Sequence, residues 1–117
     1  MKHIIHADNS EFFRKLMKTY MAEKGLELES FDNGEDAVKA VAEGKATFVI
    51  TGLSLADMSG EEFLKRLMTL PQKTPIIVVT SSDETAKHKR LEALGAKAII
   101  MKSDDWKNEL SRILHLD

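Results

Sequence analysis

The chain contains no cysteine among its 117 residues. Disulfide bonds, thiol catalysis and cysteine-ligated metal sites are therefore excluded, and the composition fits a reducing compartment. Strong charge of one sign is missing too, because 17 Lys and Arg residues oppose 19 Asp and Glu residues, for a formal net charge of −2. A balance this small and mixed gives no argument for binding nucleic acid or a membrane surface.

Long apolar runs are also missing. The N-terminal stretch MKHIIHADNSEFFRK turns polar after five residues, so it is neither a signal peptide nor a membrane-spanning helix. What the chain does contain, 43% hydrophobic and 31% charged residues, is ordinary for a globular protein. Together with the length, these values predict one soluble domain over residues 1–117, located in the cytoplasm.

Five short β-branched or apolar runs predict strands. Three of them are nearly continuous apolar runs, as expected of strands buried on both faces of a parallel sheet. The run LELES alternates instead, which predicts a strand at an edge of the sheet. The five runs are HIIHA, LELESF, TFVIT, PIIVVT and AKAIIM, at residues 3–7, 26–31, 47–51, 75–80 and 96–101.

Segments with helical periodicity separate these runs. The first, at residues 10–25, places five apolar side chains between Phe13 and Met21 on one face and ends at a glycine. The others cover residues 33–44, 59–70, 82–95 and 103–116, and Ser103 or Asp104 is the expected N-cap of the last. Strict alternation of five strands and five helices predicts an α/β fold with a parallel sheet, helices on both faces and right-handed connections.

Polar side chains follow several of the predicted strands. In doubly wound sheets, ligands bind at the carboxyl ends of the strands. An acid, a hydroxyl and an ammonium group at one rim suit an anion or a phosphoryl group. Structural roles fit the same residues, and spacing alone slightly favours them: Asp8 or Asn9 as a helix cap, Thr80 in a turn, Lys102 paired with Asp8. The residues at the strand ends are Asp8, Asn9, Ser10, Gly52, Leu53, Thr80, Ser81, Met101, Lys102 and Ser103.

Several motifs, in order and over essentially the whole length, resemble those of a known family. They are ADNSEFFRKLM, VITGLSLADMSGEEFL, TPIIVVTSSD and LGAKAIIMKS. The chain resembles a response-regulator receiver domain, the CheY-like module of bacterial two-component signalling. The resemblance implies a doubly wound five-stranded parallel sheet of the (βα)5 flavodoxin/CheY-like type, with strand order 2-1-3-4-5.

The resemblance also implies a phosphorylation site. In the family, two acids after strand one and an aspartate at the tip of strand three bind magnesium, and that aspartate accepts a phosphoryl group from a histidine kinase. A Thr or Ser after strand four and a Lys after strand five contact the phosphoryl group. Position by position, Asp8 matches the first acid, Thr80 the hydroxyl and Lys102 the lysine.

Five positions depart from the family pattern. Gly52 stands where the phosphoacceptor belongs, and Asn9 stands where the second acid belongs. Ile99 replaces the aromatic residue that reports the change to partners, Ser103 the usual proline after the lysine, and Ala56 a common loop proline. The chain therefore resembles a degenerate receiver, or pseudo-receiver, without catalytic residues and without enzyme activity.

These departures predict a change of chemistry. Gly52 supplies no nucleophile, and Asp8 beside Lys102 is a poor substitute for a magnesium site. We therefore expect no cofactor and lost or weak Mg²⁺ binding. We also expect a direct Asp8–Lys102 pair, and a destabilising effect of Gly52→Asp through repulsion between acids.

A phosphorylation-independent interaction or dimerisation module is the first functional hypothesis. The resemblance places its partner, a protein or a second copy, on the face of the fourth helix, fifth strand and fifth helix, where the polar segment around His88 is otherwise a solvated surface. A sensor kinase or an output domain is a possible partner, and neither nucleic acid nor a membrane is expected.

Two alternatives stay open at this stage. A substitute acid, Asp8 or Asp57, would keep the receiver phosphorylatable, or Gly52 is an engineered loss of the acceptor in an active receiver. Asp57 otherwise serves the loop or the start of the helix that follows it. A flavin-binding protein of the same architecture is disfavoured, because DNSEFF offers no Ser/Thr/Gly-rich phosphate loop. His6 is expected to be a hydrogen-bonded core residue rather than a ligand.

Overall fold

The structure, a computed structural model, describes residues 2–44, 46–103 and 105–115. The strands of this part are β1 (His3–Ala7), β2 (Glu27–Phe31), β3 (Phe48–Thr51), β4 (Ile76–Thr80) and β5 (Ala98–Met101). The helices are α1 (Glu11–Glu23), α2 (Gly34–Ala42), α3 (Gly60–Met68), α4 (Thr85–Ala93) and α5 (Trp106–Leu114). None of these helices has the length and apolar character needed to cross a bilayer.

The five strands form one parallel sheet in the order β2-β1-β3-β4-β5. This confirms the predicted fold class and strand order. β2 lies at an edge, as its alternating sequence predicted, and its residues are exposed or half-buried. β4 lies between two partners and is buried along its whole length, which explains its continuous apolar sequence.

The core consists of two apolar layers, one on each face of the sheet. Successive strand residues alternate between them: Ile77 and Val79 face α1 and α5, whereas Ile76 and Val78 face α2, α3 and α4. α4 is the least anchored helix, since Leu91 is its one fully buried residue.

Side chains cap the first three helices, whereas α5 begins without such a cap. Ser10, Asn33 and Ser59 cap α1, α2 and α3, each accepting a hydrogen bond from the backbone three residues later. The expected cap of the last helix is wrong at Ser103: α5 begins at Trp106 with Asp105 at the N-cap, and Asp105 makes no capping hydrogen bond. Asp104, the other expected cap, lies outside the described residues. The buried side chain of Trp106, the first residue of α5, packs on α1.

Candidate functional site

The carboxyl ends of β1, β3, β4 and β5 meet at one rim because these strands are consecutive neighbours in the sheet. A cavity of about 480 Å³ opens there, which we call the rim cavity. Asp8, Asn9, Thr80 and Lys102 line it, and Lys87 reaches it from α4. The structure thus brings together most of the polar residues that the sequence analysis placed at the strand ends: Ser10 and Ser81 line the cavity too, whereas Ser103 is not among its lining residues.

The carboxylate of Asp8 lies so close to Gly52 that residue 52 has no room for a side chain. A Cβ atom built on Gly52 would lie 2.7 Å from Asp8 Oδ2 and 2.9 Å from Asp8 Cγ. Gly52 is not among the glycines with positive φ, so its backbone conformation is open to other residues. Glycine fits at this position because a side chain would have no room, and not because of its backbone conformation.

The Asp8 carboxylate is held inside the protein. Its Oδ1 accepts a hydrogen bond from Ser10 N at 2.9 Å, and Lys102 Nζ lies 3.0 Å from its Oδ2. The expected Asp8–Lys102 pair is therefore present. The ammonium group is not aligned for a hydrogen bond, however, and the buried Oδ2 has no hydrogen-bond donor. The pair is thus a charge contact rather than a directed bond.

The cap of α1 differs from both residues that the sequence suggested. Ser10 Oγ accepts the hydrogen bond from Phe13 N at 3.1 Å. Asp8 is turned inward toward Lys102 instead, and Asn9 is exposed, with its backbone N–H bonded to Ser54 O at 3.1 Å. Asn9 therefore leaves its side-chain amide at the cavity wall.

Lys102 is held on its other side by an aromatic ring. Its Nζ lies 4.2 Å from the centroid of Phe13, a distance suited to a cation–π contact. The Phe13 ring in turn packs against Trp106 at 5.0 Å, and Trp106 packs against Tyr20 at 5.5 Å. Helical periodicity placed Phe13 on the buried face of α1, but no local signal indicates that this face lies beneath Lys102.

Thr80 is buried and engaged with the backbone. Its Oγ1 accepts a hydrogen bond from Ser82 N at 3.0 Å, which closes the turn after β4. This is the structural role that the sequence offered as an alternative to phosphoryl contact. Ile99 is half-buried, pairs with Val78 and packs on the layer of α2, α3 and α4.

Asp57 serves a helix, but not the one that follows it. Its Oδ1 and Oδ2 accept hydrogen bonds from Gly34 N at 2.7 Å and Glu35 N at 3.0 Å, at the start of α2. Ser59 caps α3 instead, so of the two expected roles of Asp57 the one at the α3 start is wrong, and Asp57 is a residue of the loop before that helix. The bond from Gly34, and secondarily that from Glu35, holds the pKa of Asp57 below its ordinary value.

His6 is fully buried, and only one of its two ring nitrogens has a hydrogen-bond partner. Its Nδ1 lies 3.1 Å from Ser30 Oγ, whereas its Nε2 has no hydrogen-bond partner. Burial lowers the pKa of His6 from 6.5 to about 4, a shift that Asp8 opposes and that Lys102 and Arg14 reinforce. The expected core role is confirmed for one ring nitrogen, and the ring stays neutral near neutral pH.

The donor set at the rim does not fit a magnesium site. Magnesium prefers an octahedral oxygen shell built on one or two carboxylates. Asp8 supplies the carboxylate of the rim cavity, but Lys102 already lies against it, and Gly52 has no side chain to contribute. Among the described residues, no group of three His, Asp or Glu side chains is placed to hold a metal ion.

Comparison with known proteins identifies relatives over almost the full length. The family model of the response regulator receiver domain matches residues 4–114. The uncharacterized transcriptional regulatory protein YkoG of Bacillus subtilis is 26% identical over 111 residues, covering 95% of this chain and 49% of YkoG. PcoR of Escherichia coli is 24% identical over 114 residues, covering 97% of this chain and 50% of PcoR. The chain thus spans about half the length of these curated relatives.

Other similarities extend over most of both proteins compared. The chemotaxis protein CheY of Thermotoga maritima is 26% identical over 102 residues, covering 86% of this chain and 85% of CheY. The BeF3-activated receiver domain of Klebsiella pneumoniae RstA has a TM-score of 0.88 at 22% identity, with 98% of both chains covered. A two-component response regulator from Clostridium difficile has a TM-score of 0.89 at 17% identity, covering 99% of this chain and 95% of that one. These two structures support the fold.

Proposed function

The chain belongs to the response regulator receiver family, and we propose that it is a degenerate receiver that signals by binding a protein, without phosphorylation. The single observation that carries this proposal is the close approach of the Asp8 carboxylate to Gly52. A Cβ atom of residue 52 would lie 2.7 Å from Oδ2 of the buried Asp8 carboxylate, which is too close for both atoms to keep these positions. A side chain at residue 52 and the present position of Asp8 exclude each other.

The proposed loss of phosphoryl transfer follows from the chemistry of these side chains. Transfer to a receiver needs a carboxylate in line with the donor and a cation that neutralises the developing charge. Gly52 stands at the position of the acceptor and has no carboxylate. Asn9 replaces the second acid by a neutral amide, and Lys102 provides the positive charge beside Asp8.

The substitute acids are both engaged elsewhere. Both oxygens of Asp57 accept backbone hydrogen bonds from α2, so its use as a nucleophile would leave the amides of Gly34 and Glu35 without their acceptor. Asp8 is buried, with Lys102 at one oxygen and Ser10 N at the other. We therefore prefer an interaction module to a receiver phosphorylated at another acid.

Receiver domains are signalling modules that interact with kinases and output domains. For this chain we propose a protein partner, or a second copy, on the face formed by α4, β5 and α5. β5 is an edge strand, and α4 exposes nearly all of its side chains, including those of Lys89 and Ala93. Residues 1–117 would act as one cytoplasmic domain of this kind, without enzyme activity and without a bound cofactor.

A magnesium titration tests the proposal. Trp106 contacts Phe13, whose ring lies beneath Lys102, so a cation that displaced Lys102 from Asp8 would change the fluorescence of Trp106. We expect no saturating change at millimolar Mg²⁺. The matched control is the double variant Asn9→Asp with Gly52→Asp, which restores both acids and should gain a response. Saturation of the unaltered protein below the millimolar range would contradict the proposal.

A further inference from the structure

A second cavity lies beside the rim cavity, between α3 and α4. It measures about 390 Å³, and we call it the α3–α4 groove. Leu53, Ala86 and Leu91 give it apolar walls. Two charge pairs also line it, Glu61 with Arg90 and Glu84 with Lys87, so these side chains add no net charge. The volume lies in the range of small-molecule sites, which combine apolar walls with a few polar groups.

The groove and the rim cavity adjoin each other. Leu53 and Lys87 line both, so the two cavities share a wall. The rim cavity supplies the polar end, where, among the described residues that line it, the charged groups are the ammonium groups of Lys87 and Lys102 and the carboxylate of Asp8. The hydroxyl groups of Ser81 and Ser82 stand at the same end.

Lys87 is the cation that is available to a ligand. Its Nζ lies 3.8 Å from Glu84 Oε1, which is beyond hydrogen-bond distance, and both side chains are largely exposed. Such pairs contribute little to stability, so exchanging Glu84 for another anion costs little. Lys102, by contrast, is held by Asp8 and Phe13 and would act from a fixed position.

The wall formed by α4 is able to adjust. Leu91 is the one fully buried residue of the helix, and Glu84 at its N-cap makes no capping hydrogen bond. A helix held by few buried contacts opens at low cost in free energy. A ligand between α3 and α4 would therefore act directly on a helix of the proposed partner face.

We propose that a small organic anion with an apolar tail binds here, its charged head between Lys87 and Lys102 and its tail on Leu53, Ala86 and Leu91. This inference deepens the proposed function, on which it rests, because it names the kind of signal that regulates a receiver without phosphorylation. The head could be a phosphate or a carboxylate, since both are bound by ammonium and hydroxyl groups in the same way.

Amide NMR spectra of the whole chain, titrated with hexyl phosphate and with hexanoate, test the inference. Inorganic phosphate and hexanol serve as the separate halves of the ligand. We expect shifts that include Leu53, Ala86 and Lys87, and tighter binding of hexyl phosphate or hexanoate than of either half. Lys87→Gln removes a charged partner and should weaken binding about tenfold. Ala86→Glu should weaken it as well, by placing a carboxylate on the apolar wall.

Two control variants on the same helix keep the test specific. Lys89→Gln and Ala93→Glu make the same chemical changes on exposed residues outside the two cavities, and should leave binding unchanged. The inference is overturned if neither anion binds, if phosphate binds as tightly as hexyl phosphate, or if all four variants bind alike. Phosphorylation of the protein would overturn the proposed function but would leave these binding results as they are.

Discussion

Gly52 and Asp8 set the chemistry of the rim at the scale of single residues. The buried carboxylate lies against a residue without a side chain and takes its charge partner from Lys102. Three contacts hold it there: Ser10 N, Lys102 Nζ and, through the backbone carbonyl of Asp8, the guanidinium of Arg14 at 2.8 Å. Any side chain at residue 52 must displace this arrangement.

Replacement of Gly52 by alanine should lower the free energy of unfolding. Loss of glycine entropy in the unfolded chain would stabilise by up to about 1 kcal/mol, whereas forcing atoms into a filled space costs about 1–3 kcal/mol. The second effect is larger. Gly52→Asp should cost more than Gly52→Ala, because it also places a second carboxylate beside Asp8. Urea unfolding of both variants measures this.

The source of this cost can be checked separately. In an Asp8→Ala background the obstacle is gone, so Gly52→Ala should then cost clearly less than it does alone. Ser54→Ala, at an exposed neighbouring residue, is the control and should change little. An unchanged urea midpoint for both Gly52 variants would show that Asp8 moves aside freely. That result would contradict a carboxylate held in place by Ser10 and Lys102.

His6 makes the stability of the protein dependent on pH. Its pKa is about 4 in the folded state against 6.5 as the ordinary value, so between these values the unfolded chain binds a proton that the folded protein does not. Stability therefore falls as pH falls from 6.5 to 4, by about 3 kcal/mol for a shift of this size. Urea unfolding at intervals of pH measures the slope, which should flatten in His6→Asn. An equal slope in both proteins would refute this role.

At the scale of elements, Asp57 ties the loop between β3 and α3 to the start of α2. Asp57→Ala should speed hydrogen exchange at the amides of Gly34 and Glu35, since both lose their acceptor. Because its pKa is depressed, the stabilising effect of Asp57 is complete above its ordinary pKa and is lost as pH falls through the folded value. Asp83→Ala, another exposed acid, is the control, and equal exchange in the two variants would contradict the tie.

The secondary structure was predictable from the sequence because each element carries a local signal. β4 reads PIIVVT and is buried throughout, and LELES alternates at the edge of the sheet. The sequence contains no comparable local signal for the contacts between elements. Asp57 precedes α3 in sequence yet accepts hydrogen bonds from the first two amides of α2, and Trp106, the first residue of α5, packs on α1. Both depend on tertiary packing, which periodicity does not encode.

The site was predictable to a similar extent. Strand ends placed Asp8, Thr80 and Lys102 at one rim, and the structure brings them there. The same pattern did not show that Phe13 lies beneath Lys102, or that Lys87 reaches the cavity from α4. Side-chain direction at the rim depends on how helices pack on the sheet, and a single sequence gives only their periodicity.

At the scale of the whole molecule, the rim and the proposed partner face are parts of one packed structure. The chain of contacts from Asp8 through Lys102 and Phe13 to Trp106 connects the rim to α5. In the proposed account this connection is set by an internal charge pair rather than by a phosphoryl group. The protein would then present one surface to its partner with or without a phosphodonor.

The intact mass of the protein after incubation with acetyl phosphate and Mg²⁺ tests this account most directly. The account predicts an unchanged mass, since Gly52 offers no acceptor and both Asp8 and Asp57 are engaged. The double variant Asn9→Asp with Gly52→Asp, which restores both acids, shows whether the donor works on this fold. A stoichiometric, magnesium-dependent phosphoryl adduct on the unaltered protein would mean that another acid accepts the group, and would contradict the account.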